Sequence, residues 1–326
     1  ELPDMDPDVI VPIQDAIGIE DEISPQPATF NIVDRALPLL TIDLGKRSRA
    51  VTTTGNLSWS DSGESGVSIS GSGGIELPET AAAPASLVLS GEGAHDPFAF
   101  CGMMAALDGY PLSGRIDVFD DGKWAFMGTT NCAGIGESPT RGLSIEFLPG
   151  AEPPPTPLKL GRIAVFGHGR APRRVESGPP TASVVYLGAE GPGMGWHAVE
   201  ASGHGGICWM GPRSETSFRL RPSRTYRFVI PELRPLSVDI MPEMKISVGG
   251  ASADFQIVPL RDDPSVFSVS GFFRAPAATD EDLIFRIAFP DELAKSPMEL
   301  GLNDDRRSLT ITVRAIALSA ADTRPT

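Results

Sequence analysis

The chain has 326 residues, enough for two domains of about 150 residues, each able to bury its own core. Hydrophobic residues make up 41% and charged residues 21%, which excludes a disordered chain, and 35 glycines with 31 prolines favour many short strands over long helices. Acids outnumber bases 42 to 27, a net charge of −15, which speaks against nucleic acid and against an anionic membrane surface, because both demand Lys and Arg opposite phosphates.

Residues 1–29 carry eight acids, from Glu1 to Glu22, and no Lys or Arg. Prolines flank the one helical candidate there, Pro12 to Ile23. Read blandly, this is an extended acidic linker. Read sharply, it is an arm that orders on a protein partner through Ile10, Val11, Ile13, Ile17, Ile19 and Ile23. The chain starts at Glu1, so a processed secretion signal and a trimmed chain look the same. No apolar run approaches the ~20 residues of a membrane helix, so no membrane insertion is expected.

From Phe30 onward the pattern is β. Leu37–Leu44, Ala50–Thr54, Gly66–Ser70, Ser86–Leu89, Arg115–Phe119, Trp124–Met127, Leu143–Phe147 and Leu160–Phe166 read as strands, with a helical turn around Phe98 to Ala106. Asp121-Gly122 predicts a hairpin between two of them, because the turn needs positive φ. The stretch Gly169 to Pro180 breaks every periodicity and marks the boundary. The second half repeats the pattern at Ser183–Leu187, Thr216–Leu220, Thr225–Ile230, Met244–Val248, Ala253–Val258, Val266–Phe273, Leu283–Ala288 and Leu309–Leu318. There Gly249-Gly250 is a second hairpin signal, and Asp291 to Glu299 offers one helical turn. The expected fold is all-β: an arm over 1–29, one antiparallel, jelly-roll-like β-sandwich over 30–170, a linker over 171–180, and a second sandwich over 181–326.

A search for chemistry finds no nucleophile elbow, P-loop, zinc-protease or dinucleotide motif. Three cysteines cannot form a closed disulfide framework; Cys101 and Cys132 could pair, or all three with Cys208 could be packed thiols. His197, His204 and Cys208 have loose metal spacing on a glycine-rich stretch, with packed or solvated side chains as the simpler account. The acidic doublets Asp120/Asp121 and Asp262/Asp263 read as turn residues that satisfy local backbone donors. Asp61/Glu64 and Asp304/Asp305 read the same way, with a structural calcium as their alternative role; no other cofactor is expected.

The tryptophans are more informative. Trp59, Trp196 and Trp209 sit among polar and glycine residues, where an aromatic face beside hydrogen-bonding groups suits a sugar ring. The candidate ligand-binding residues are therefore Trp196, His197, Glu200, Trp209 and Arg213, with Trp59 and Asp61 in the first half. Against this, each Trp could instead anchor a core, which is the better account of Trp124.

Two segments carry a family resemblance. Gly195, Trp196, Glu200, Trp209, Gly211 and Pro212 form an opening motif, and Ser296, Pro297, Glu299, Leu300, Gly301, Asp305, Arg307 and Leu309 a closing one, with Thr310 where the pattern has glycine. Together they resemble a β-sandwich module of bacterial cell-surface polysaccharide proteins, often appended to glycosyltransferases. The resemblance covers about 140 residues and implies a non-catalytic, glycan-associated role. Two such modules behind an acidic arm also resemble a head spike of a phage-like particle or gene transfer agent. That likeness implies binding of capsular polysaccharide, an extracellular or particle-surface location and a possible oligomer. An assembly protein docking through residues 1–29 is the alternative function, and a polysaccharide hydrolase or lyase the second alternative.

Overall fold

The computed structural model describes residues 31–32, 38–44, 51–59, 66–78, 84–94, 97–130, 142–147, 157–167, 175–176, 180–187, 193–202, 205–277 and 282–321. The expected arm, the Pro12–Ile23 helix, Asp61, His204, Cys132 and most of the expected linker lie outside these residues. Within them the protein is all-β and every strand pairing is antiparallel.

The first half contains β1 (Asn31–Ile32), β2 (Leu40–Asp43), β3 (Thr52–Trp59), β4 (Val67–Glu76), β5 (Pro84–Glu92), β6 (Met103–Leu107), β7 (Tyr110–Val118), β8 (Trp124–Thr130), β9 (Gly142–Phe147), β10 (Leu158–Gly167) and β11 (Val175–Glu176). The second half contains β12 (Ala182–Tyr186), β13 (Gly193–Ser202), β14 (Gly205–Phe218), β15 (Thr225–Pro235), β16 (Lys245–Val248), β17 (Ala251–Ser252) and β18 (Asp254–Pro259). It closes with β19 (Phe267–Arg274), β20 (Leu283–Ala288), β21 (Ile311–Val313) and β22 (Ala315–Ala320). Short 3-10 helices cover Pro97–Gly102, Val238–Glu243 and Asp291–Leu293. The first and last match helical turns expected from sequence. However, Met103–Leu107, expected to continue the first turn, is strand β6, buried along most of its length. Among the described residues no helix is long and apolar enough to cross a membrane.

The two sandwiches follow one another along the chain but share a sheet. Its strands run β2–β10–β5–β8–β7–β12–β22–β15–β19–β18. One row of direct partners crosses all of them: Ile42, Ile163, Leu89, Phe126, Ile116, Val184, Ala317, Val229, Ser270 and Gln256. Partners lie on one face. From Ile42 to Ala317 that face belongs to the first core, under the sheet β3–β4–β9–β6, whereas Gln256 at the far end is exposed. The second core lies on the opposite face, where Val185, Ile316, Leu318 and Phe228 meet the sheet β13–β14–β20–β16.

β12 (ASVVY) and the first part of β22 (AIAL) are buried on both faces because the cores change sides across them. An uninterrupted apolar run is the sequence form of such a strand. Strands with one covered face alternate instead, as β20 does with Leu283, Phe285 and Ile287 inward and Ile284 and Arg286 outward. Further contacts join the halves. Ser183 donates to Asp117 at 2.8 Å, Tyr186 donates its hydroxyl to the Phe100 carbonyl, Asp120 pairs with Arg221 at 2.5 Å, and Arg227 lies 5.1 Å from the Phe98 ring centre.

Both glycine-marked hairpins form. Gly122 (φ 75°) turns β7 into β8, and Gly249 (φ 57°) with Gly250 (φ 84°) turns β16 into β17. The turn acids act as expected: Asp121 accepts the Lys123 N–H, and Asp263 accepts both N–H and hydroxyl of Ser265. Trp124 fills the first core with no exposed surface and donates its indole N–H to the Glu92 carbonyl at 3.2 Å. Cys101 is also buried in that core.

Candidate functional site

The glycine-rich stretch that carries Trp196 and Trp209, in which no strand is expected from sequence, contributes β13 and β14, a paired ribbon. Its register sets which residues face inward. Met194 pairs with Glu215, but Trp196 pairs with Met210, so Gly195 alone stands opposite Gly211–Ser214 and β14 bulges there. Gly195 has φ 80°, and a Cβ there would lie 2.1 Å from the Arg213 carbonyl oxygen, so only glycine fits. Across this bulge Met194 stays 68% exposed while Trp196 turns into the second core, 9% exposed. Its indole N–H is shared between the Glu215 carbonyl and the Thr216 hydroxyl, each at 3.2 Å.

This corrects the expectation for Trp196. A ring packed in the core, with its polar edge satisfied internally, has no face to offer a sugar. Trp59 is half-buried and packed against the first core at the end of β3, so it does not join the second-half candidates.

On β14 the alternation is regular through the centre. Cys208 and Met210 are fully buried in the second core. Trp209, between them, is half-buried and on the opposite, outward face. Its direct cross-strand partner is Thr312, whose own partner on β15 is Arg234. Glu200 and Arg213 also face outward. Glu200 pairs with Ile207, two positions from Trp209, so Glu200 and Trp209 are diagonal neighbours about 7–8 Å apart at the backbone. Arg213, four positions beyond Trp209, pairs with Asp291 at 3.2 Å, and next to it Glu215 pairs with Arg286.

The closing motif comes to this surface. Ser296 N–H donates to the Glu299 carboxylate at 2.8 Å and Glu299 N–H to the Ser296 hydroxyl at 3.2 Å, a reciprocal lock on the Pro297–Leu302 turn. Asp305 accepts the Arg307 backbone N–H and a two-pronged contact from its guanidinium. Arg307 then reaches Glu200 at 2.6 Å. One arginine thus ties β13 to the segment before β21. These bonds hold the Asp305 carboxyl down at about 2, first through the Arg307 side chain and then its backbone N–H, and they raise Arg307.

His197 belongs to the same cluster. Burial lowers its pKa, and Arg307 adds to the effect against the opposing pull of Asp305 and Glu200. The His197 carbonyl accepts the Cys208 thiol at 2.8 Å, and burial pushes that thiol up to about 12, so it remains protonated and a poor metal ligand. The calcium reading of Asp304/Asp305 is corrected too, since both Asp305 oxygens are engaged by Arg307.

Of the seven sequence candidates, His197, Glu200, Trp209 and Arg213 therefore lie along one outward surface; Trp196 and Trp59 do not, and Asp61 is outside the described residues. Arg234 was missed; it is reached from Trp209 only through the register of Thr312, which is itself buried at 3% exposure. Asp305 and Arg307 were present in the closing motif, but only the fold shows that the motif meets Glu200.

No protein-family model matches the chain, and no curated protein matches it. Among solved structures, the extracellular domain of ANXUR2 from Arabidopsis thaliana is similar at 8% identity, over 85% of this chain and 90% of that one, with a TM-score of 0.28. A Paenibacillus xanthan lyase is similar at 11% identity, over 89% of this chain and 27% of the lyase, with a TM-score of 0.26. The M60 catalytic domain with two CBM51 domains of Clostridium perfringens ZmpB is similar at 6% identity, over 90% of this chain and 39% of that one, with a TM-score of 0.20. Identities and TM-scores this low carry no function to this chain.

Proposed function

We propose that this protein binds a bacterial surface polysaccharide without cleaving it, through the outward face of the β13–β14 ribbon. The observation that carries this reading is the placement of Trp209, a half-exposed aromatic on a paired strand, beside the Glu200–Arg307–Asp305 network and in line with Arg213. A ring face offers an apolar platform to the C–H face of a sugar, and fixed charged groups at its side accept and donate to hydroxyls. Strand register and ion pairs set these groups in advance, which lowers the ordering cost of binding.

The same network argues for binding over hydrolysis at this surface. A glycosidase acid must hold its proton near neutral pH, which requires a raised pKa. Asp305 is instead depressed to about 2. The resemblance of the opening and closing motifs to a module of cell-surface polysaccharide proteins supports the substrate class. So does their meeting in space through Glu200 and Arg307.

A glycan array that includes bacterial capsular polysaccharides tests the reading. Wild type is expected to bind at least one glycan, and a folded Trp209→Ala/Arg213→Ala variant to lose that binding. Binding that survives in the variant would place the site elsewhere; binding to no array member would turn attention to a protein partner for residues 1–29.

A further inference from the structure

The edges of the sheets differ in a way that points to a partner. Sheet edges left open invite pairing with another chain, and proteins blunt them by shortness, bulges, charge or burial. Among the described residues the edge β2 has four residues, β3 is broken by a bulge between Gly55 and Leu57, β13 is broken twice, and β6 is largely buried. β18 has the fewest of these protections. Its six residues, DFQIVP, pair with β19 in unbroken register from Asp254 to Pro259, and its only charge is Asp254. It carries no Lys, and its one proline is the last residue. Val258 is 51% exposed, and Phe272, opposite Asp254 on β19, is 54% exposed.

We propose that β18 pairs antiparallel with β18 of a second copy of this chain, about a two-fold axis at Gln256. The occupant follows from self-complementarity. With the axis at Gln256, Phe255 of each copy lies opposite Ile257 of the other. These two residues pack against the rim of the second core but remain only half-buried, and the pairing would cover both twice. Gln256 meets its own copy, amide to amide, on the outer face. The strand also suits a chain of net charge −15. The two Asp254 side chains would sit four strand positions apart, about 13 Å, beyond the screening length of about 8 Å at physiological salt. The shared sheet would then continue from one copy into the next. This pairing stands independently of glycan binding.

Sedimentation equilibrium of the full chain over about 1–100 μM tests it. The expected result is a dimer of twice 34.5 kDa. Gln256→Lys, at an exposed position, sets two lysines face to face and is expected to weaken the dimer at least tenfold, with an unchanged thermal midpoint at concentrations where both chains are monomeric. Gln256→Cys is expected to give a disulfide-linked dimer on oxidation that wild type does not give. A monomer at 100 μM would overturn the proposal. So would a dimer indifferent to Gln256→Lys, or a Gln256→Cys chain that fails to cross-link, since either would place the interface on another surface.

Discussion

The two faces of the β13–β14 ribbon use similar residues to opposite ends. Inward, Trp196, Cys208 and Met210 are buried in the second core, and the polar atoms of Trp196 and Cys208 are spent on the Glu215, Thr216 and His197 main chain or hydroxyl. Outward, Trp209 keeps exposed surface, and Glu200, Arg307 and Asp305 are joined to one another beside it. Thirteen positions separate two tryptophans in equally glycine-rich sequence, and the register break opposite Gly195 decides that Trp196 is structural. A tryptophan's neighbours in sequence therefore say less about its role than the parity of its strand.

That contrast can be broken most severely from the inside. Trp196→Ala removes a buried ring and two hydrogen-bond partners and is expected to cost about 3–5 kcal/mol in denaturant unfolding. A loss under about 1 kcal/mol would mean the ring is not core. Gly195→Ala forces a Cβ onto the Arg213 carbonyl at positive φ, with an expected cost of about 1–3 kcal/mol that includes refacing Trp196.

Alkaline pH probes the same face. The Cys208 thiol is raised from an ordinary value near 9 to about 12 by burial. A raised folded value means its contribution is fully present below pH 9 and is lost as pH rises towards 12. Stability should fall by up to about 1.4 kcal/mol per pH unit in that window. Urea midpoints of wild type and Cys208→Ala at pH 8 and 10.5 check this, with a smaller pH dependence expected in the variant. His197 gives the opposite flank. Burial depresses its value, so stability is complete above its ordinary value of 6.5 and falls as pH drops below it.

Outward changes should be mild for stability. Arg307 and Glu200 remain 36% and 41% exposed, so a double-mutant cycle is expected to yield a coupling of about 0.2–1 kcal/mol. Trp209→Ala is expected to cost least, under about 1 kcal/mol, yet to abolish glycan binding. A large stability loss there would make Trp209 a core residue like Trp196.

Much of this architecture is legible in the sequence. Period-two alternation marks one-sided strands such as β20, unbroken apolar runs mark β12 and β22, and glycine pairs mark hairpins. The turn acids at Asp121 and Asp263 are legible for the same local reason. Less legible is anything set by pairing. The register break at Gly195 reverses the facing of Trp196, and that glycine serves a close backbone approach rather than flexibility. The run Met103–Leu107 has the apolar content of either a helix or a buried strand, and only its pairing with β9 decides. The sharing of one sheet by both sandwiches depends on β12 meeting strands from each half, 66 residues away at Asp117 and more than 130 away at Leu318, which no local signal encodes.

The most direct test of the outward-face account is the set of tryptophan indole N–H signals in a 15N-labelled protein, followed as a bound capsular polysaccharide is titrated in. Trp209 should shift on binding, while Trp124 and Trp196, whose N–H groups are held inside the cores, should stay in place. A shift of Trp59 with Trp209 unmoved would contradict the account and move the binding face to the first sandwich.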